Sequence, residues 1–232
     1  MNKDRKSAII IGVFYIIAAV SSIVAVLIYQ PILASDWYNV VANGKWNSIL
    51  FGVLNDLFLV VSAVGTAVMF FPYLRKVNEH IALFHLSFRF MEAVLIAIGA
   101  VGILALLSVS SSFQMGTITN PENVMATGVA LQSFHRWTFM LGPNLMLGLN
   151  TTAYSILLFK SGLVPKKLAT FGIITAISVF TAGLLDMFSI IDPTSGIKGI
   201  IALPVGVYEM SLAFYLIFKG FVKNNLDALM SK

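Results

Sequence analysis

The sequence predicts an all-α fold, a polytopic membrane protein folded as a bundle of six transmembrane helices with both termini cytoplasmic. Three observations carry that prediction. Of 232 residues, 58% are hydrophobic and only 11% charged, whereas soluble domains carry ~25% charged residues. Apolar runs of twenty or more residues recur along the chain, each long enough to cross a hydrocarbon core of ~30 Å. The basic residues gather in alternate connectors: the head, two turns and the tail counted from Lys219 hold eleven of the fifteen Lys and Arg, and the opposite connectors hold two, Lys45 and Lys198. By the positive-inside rule the eleven mark the cytoplasmic side.

The spans follow in order as a single integral domain over residues 1–232. Met1 to Lys6 is a short basic head. Residues 7–29 are apolar, longer than the 7–15 residue core of a signal peptide, and read as a retained first span. Residues 30–47 form a polar connector in which Ser35 and Asp36 cap a short helix and Gly44 ends it. Trp37, Trp46 and, further on, Trp137 suit an outer interfacial belt. Residues 48–71 form the second span, interrupted by Asn55-Asp56 and stopped by Pro72. After a basic turn, residues 81–108 form the third.

Val109 to Asn120 is Ser/Thr-rich and reads as a loop. Asn120-Pro121-Glu122 then offers a helix cap, a proline for the first turn and a carboxylate near the positive dipole end. A helix from there to Phe159 would reach ~57 Å at 1.5 Å per residue. That is too long for one span, so either its first turns lie outside the membrane or it kinks at Gly142-Pro143, and the fourth span is taken as about 131–159. A basic turn, Lys160 to Lys167, leads to the fifth span at 168–190. Ile191 to Lys198 is a short turn, 199–221 the sixth span, and Val222 to Lys232 a polar tail. Asp56 and Asp186 both fall toward the outer ends of spans 2 and 5, which argues against an inverted three-plus-three repeat.

The chemistry lies in what interrupts the apolar runs. In the third span, His85, Arg89 and Glu92 share one helical stripe at i, i+4 and i+7. Each charge at bilayer depth costs ~2.5–3.5 kcal/mol on the insertion scale. Across the spans there are two arginines, Arg89 and Arg136, and four carboxylates, Asp56, Glu92, Asp186 and Glu209. Six ions at ~3 kcal/mol each cost ~18 kcal/mol gross, beyond the ~5–15 kcal/mol net stability of a folded protein. They must pair, line a hydrated cavity or be neutralised. Fully ionised they sum to −2, so two acids lack an arginine.

The candidate ligand-binding or proton-relay residues are Arg89, Glu92, Glu209, Asp56, Arg136, His135, Asp186, Asn55, Asn144 and Tyr208. Each also has a structural reading: an ion pair for Arg89 and Glu92, an interhelical hydrogen bond for Asn55 and Asp56, interfacial solvation for Asp186, anchoring for His135 and Arg136. His80 reads as a solvated turn residue and His85 as snorkelling or packed. Pro143 and Pro204 each free a carbonyl one turn earlier, at Phe139 and Ile200. Kinked helices beside Asn144 and Glu209 suit a cavity and suit bundle packing equally.

Other chemistries leave no trace. There is no cysteine, no phosphate-binding glycine loop and no His-Glu-x-x-His motif, and the three histidines fall on opposite sides of the membrane. No metal or cofactor is expected. The net charge of +5 is spread by topology and forms no patch for nucleic acid. The expected partners are membrane lipids and a small anionic or zwitterionic ligand. Small residues such as Gly99, Gly142 and Gly148 allow close helix contacts without fixing an oligomeric state.

Several stretches resemble a family of bacterial multi-pass membrane proteins, catalogued as domain of unknown function 4386. They are Pro72-Tyr73-Leu74-Arg75 with Asn78-Glu79, Arg89-x-x-Glu92, Ser161 to Lys166 with Gly172, Leu184-Leu185-Asp186, and Pro204 through Glu209 to Lys219-Gly220-Phe221. The resemblance implies a bacterial inner-membrane protein of a Gram-positive type, and no particular chemistry. From the residues come three functional readings. The leading one is a small-molecule or lipid-binding protein, a transporter or sensor, whose polar cavity opens to the outer face. The second is an intramembrane enzyme acting on a lipid or lipid-linked substrate, with the carboxylates and His135 as acid, base or metal ligands. The third is a structural or accessory subunit whose ion pairs only specify packing.

Overall fold

The computed structural model describes residues 2–191 and 196–231. Among them the regular structure is helical: α1 (Lys3–Leu33), α2 (Trp46–Leu74), α3 (Glu79–Gln114), α4 (Pro121–Met140), α5 (Leu147–Ser161), α6 (Lys166–Met187), α7 (Gly196–Phe218) and α8 (Lys223–Met230). Of these, α1, α2, α3 and α6 are long and apolar enough to cross a membrane, and α7 with α8, bent by 85° between them, raises the number to as many as five. Consecutive helices pack side by side, α7 returns to α1, and α3 crosses to α5. The bundle therefore closes on itself with α3 against the middle of the return half.

Local chemistry sets the helix ends. Asn78 and Asn120 cap α3 and α4, their side chains accepting from the backbone of Ile81 and of Glu122 and Asn123. Pro121 follows at the first turn, as the sequence predicts. Gly162, at φ +63, ends α5 in the left-handed region that favours glycine. At the basic end of the bundle, Arg5 donates to the last carbonyls of α7, at Leu216, Ile217 and Phe218. A cation there meets the unpaired acceptors and the negative end of the helix dipole. Tyr73 donates to Asp4 at 2.9 Å and ties the end of α2 to the start of α1.

Several expectations need correction. Pro72 does not stop the second helix, which runs to Leu74 with the proline in its last turn. α1 likewise continues through Pro31. The stretch from Val109 is not a loop: α3 extends to Gln114 because Ser110 and Gln114 both donate to the carbonyl of Tyr38 and Phe113 packs edge-on against the Tyr38 ring. Asp36 precedes a short 3-10 turn at Trp37–Asn39 but makes no side-chain cap there. Trp37 is not a belt residue. It is 1% exposed and lies where Gly128 of α4 leaves room for its ring. The polar tail forms α8, whose Leu226 and Leu229 are buried while Asn225 donates to the carbonyl of Gly162. Of the expected turn at Ile191 to Lys198, residues 192–195 lie outside the described residues, and its end is helical, since α7 already begins at Gly196.

The predicted fourth span is not one helix. α4 passes into α5 through a π segment, Leu141–Met146. Pro143 removes one backbone donor, and Asn144 answers it: its side-chain amide donates to the carbonyl of Phe139 at 3.3 Å. The extra residue per turn is thus held in place by a side chain next to the proline that made it necessary.

Candidate functional site

The stripe on α3 faces inward. His85, Arg89 and Glu92 are 1%, 2% and 5% exposed. Arg89 lies 3.0 Å from Glu92 in an i,i+3 pair and 3.7 Å from Glu209 of α7. Its Nε donates to the carbonyl of Ala63 on α2 at 3.3 Å, and its guanidinium stands 5.9 Å from the ring of Tyr15 on α1. Asn150 of α5 donates to Glu92 at 2.6 Å and to the carbonyl of Met146, the last residue of the π segment. One guanidinium thus serves two carboxylates, and five helices supply the group around it.

A tyrosine layer abuts this charged group. Tyr154 of α5 stacks between Phe70 and Tyr208, at 6.0 and 6.1 Å between ring centroids. Tyr208 shares a hydrogen bond with Ser155 at 3.0 Å. Its ring and the Ser155 hydroxyl fill the space that a Cβ on Gly172 of α6 would need, which is why glycine stands there. His85 sits edge-on to Tyr154 at 5.1 Å. It is packed and does not snorkel.

Five buried polar atoms in this region lack a hydrogen-bond partner: the hydroxyls of Tyr15 and Tyr154, both ring nitrogens of His85, and Oε1 of Glu209. The two hydroxyls lie near enough to interact but outside hydrogen-bond geometry, and Oε1 meets Arg89 only as an ion pair. Each unsatisfied buried group costs ~1–3 kcal/mol. The sixth such atom among the described residues is Trp37 Nε1.

The other candidates form two separate groups. Asp56, 4% exposed, accepts from Tyr29 of α1 at 2.6 Å and has no cation at salt-bridge distance among the described residues. The Tyr29 ring lies edge-on to His135 of α4, 5.8 Å away, and His135 Nδ1 meets the carbonyl of Gly99 at 3.2 Å. A carbonyl only accepts, so that nitrogen carries the proton. Asn55 donates to the carbonyl of Ser21 at 2.7 Å. Arg136 donates to Asp186 at 3.1 Å and lies over Trp137. Asp186 is 1% exposed, so the interfacial solvation expected for it is corrected: it is buried and charge-paired. Asn144 serves the π segment.

These pairings place the charge excess read from the sequence. Arg136 answers Asp186 and Arg89 answers Glu92. The carboxylates left over are Glu209, sharing Arg89, and Asp56, held by a phenol.

Among the contacts of this group, Tyr15, Tyr29, His85, Asn150, Tyr154 and Ser155 were absent from the candidates. Two signals were present in the sequence. Tyr15 and Tyr154 stand well inside apolar runs, not at the interfaces where tyrosine is usual. Asn150-Thr151-Thr152 is a polar triplet within the fourth run.

No curated protein and no solved structure matches the chain. One family does, over residues 10–220, a stretch holding Arg89, Glu92, Asn150 and Glu209 and most of the helices. The chain belongs to the family described as Domain of unknown function (DUF4386).

Proposed function

We propose that this chain is a multi-pass protein of a bacterial cytoplasmic membrane, a single six-span domain with cytoplasmic termini, that binds a small molecule or lipid headgroup as a transporter or sensor. The observation that carries the reading is the Arg89–Glu92–Glu209 group, in which one buried arginine faces two carboxyl groups, one more than it can balance. A purely structural ion pair needs no second acid. The excess fits the cationic end of a zwitterionic ligand, or a proton in its place. An anionic group has less to hold it, because Arg89 and Arg136 already face carboxylates.

The six-span count rests on α4, the π segment and α5 acting together as one broken span, and on α7 as the last. The eleven-to-two partition of Lys and Arg supports the orientation. Under it, the Tyr29–Asp56–His135 group lies outward of the charged one. Gly99 is ten residues beyond Arg89 on α3, ~15 Å at 1.5 Å per residue. The ligand enters along that polar line from the outer face.

Charge competition gives the test. Small molecules and lipids that copurify are identified by mass spectrometry from protein held at neutral and at acid pH. Wild type should release its ligand as pH falls, because a proton then takes the cation's place. Glu209→Gln, which leaves Arg89 and Glu92 balanced, should carry the ligand at neither pH. Retention of the same species by that variant would overturn the reading.

A second reading draws on the closure of the group. Arg89 and Glu92 are almost fully buried and Arg89 bonds the α2 backbone, as a packing device would. It predicts that replacing Arg89, Glu92 and Glu209 together by apolar residues is tolerated better than replacing Arg89 alone, which leaves two buried carboxylates without a cation.

A further inference from the structure

We infer that His85, Tyr154 and Tyr15 form the route by which protons reach Glu209 from the end of the bundle where α3 begins. This rests on the proposed proton-linked role of Glu209 and extends it to three residues with no other assigned role. His85 is six residues into α3, ~9 Å along the axis at 1.5 Å per residue. Arg89 lies a turn deeper.

The observation is the gathering of buried, unpartnered polar atoms. Five of the six found among the described residues lie on this one path. The residues neighbour one another in turn: His85 to Tyr154 at 5.1 Å and Tyr154 to Tyr15 at 6.2 Å between ring centroids, with the Arg89 guanidinium 5.9 Å from the Tyr15 ring and 3.7 Å from Glu209 Oε1 holding the two ends together. Its donors and acceptors alternate as proton transfer requires. A neutral imidazole has one N–H and one lone pair, each phenol has both functions, and the carboxylate accepts. Stacking between Phe70 and Tyr208 holds the Tyr154 ring, so its hydroxyl rotor is the freest part.

The transfer balances. One ring nitrogen of His85 takes a proton and the other releases one to the Tyr154 oxygen. The Tyr154 hydroxyl proton passes to Tyr15, and that of Tyr15 to Glu209 Oε1. Each phenol ends neutral, His85 ends neutral as its other tautomer, which a ring flip or proton exchange resets, and one carboxylate has become a carboxylic acid. The steps longer than a hydrogen bond need a bridging water or a shift of the rings to close them. The charged and titratable groups facing Glu209 are Arg89 and Glu92 from α3, Tyr15 from α1, Tyr154 from α5 and Tyr208 from α7 itself. From α2, Arg89 meets the Ala63 carbonyl, and α6 touches Tyr208 at Gly172.

The test is time-resolved infrared spectroscopy of the full chain in nanodiscs after a downward pH jump. The carbonyl stretch of protonated Glu209 is identified by its loss in Glu209→Gln. In His85→Phe and in the isosteric Tyr154→Phe, that band should rise more slowly by about a hundredfold, the low end of what a positioned proton carrier contributes. Its titration midpoint should stay at the wild-type value, a split that a merely structural role would not give. Unchanged rates in both variants, with the Glu209 band present, would overturn the route and leave the binding reading standing. Absence of any band attributable to Glu209 would overturn both.

Discussion

At the residue scale the protein balances few charges closely. Arg89→Met should cost ~3–5 kcal/mol, because it leaves Glu92 and Glu209 buried without a cation. Glu92→Gln should cost much less. It leaves Arg89 matched by Glu209 and keeps a polar partner for Asn150. Denaturation in mild detergent compares the two, and equal losses would contradict the charge count. The −2 excess was legible from composition and depth alone. Its location was not, because pairing depends on which helices meet: nothing in the local sequence joins Arg136 to Asp186, fifty positions away, or Arg89 to Glu209. The hydroxyls of Tyr15 and Tyr154 were hidden for the same reason, since tyrosine in an apolar run reads as bulk until its neighbours are known.

At the element scale the π segment is the distinctive feature. It joins α4 to α5, and Asn150, which grips its last carbonyl, also grips Glu92. The π segment is therefore coupled to the charged group by one amide. Asn144→Ala should destabilise the protein by ~1–3 kcal/mol, the cost of an unsatisfied buried group, because the Phe139 carbonyl loses its side-chain donor. Thermal unfolding of the purified variant measures this, and a wild-type midpoint would mean the carbonyl finds another partner. The sequence foretold a break at Gly142-Pro143 and the carbonyl that Pro143 frees. It could not specify a π turn, which needs Asn144 to bond backward. Boundary errors elsewhere share one cause. Pro31 and Pro72 each deprive a carbonyl one turn earlier of its donor, yet the helix runs two residues beyond each of them. The Ser-rich end of α3 is helical only because Tyr38 offers its carbonyl.

At the scale of the whole molecule, the all-α architecture followed from composition, since an unbroken apolar run of twenty or more residues satisfies its own backbone in lipid as a helix. The closure of α7 on α1 did not, because loop lengths alone do not say which helix seals a bundle. The proposed topology is open to direct test, because the chain has no native cysteine. Single cysteines at the exposed positions Asn43, Thr119 and Asn224 can be probed in intact cells with a membrane-impermeant maleimide. Asn43→Cys and Thr119→Cys should label from outside, and Asn224→Cys only after permeabilisation. Outside labelling of Asn224→Cys would reverse or break the six-span assignment.

The central claim is that the Arg89–Glu92–Glu209 group binds a ligand and does more than hold helices together. Native mass spectrometry of wild type beside Glu92→Gln, both purified in mild detergent, tests it most directly. The expected result is a defined species on the wild type that is missing from a variant still folded, since its remaining pair is charge-balanced. The same species held equally by both proteins would contradict the claim, and so would an empty wild type beside an equally stable, equally empty variant.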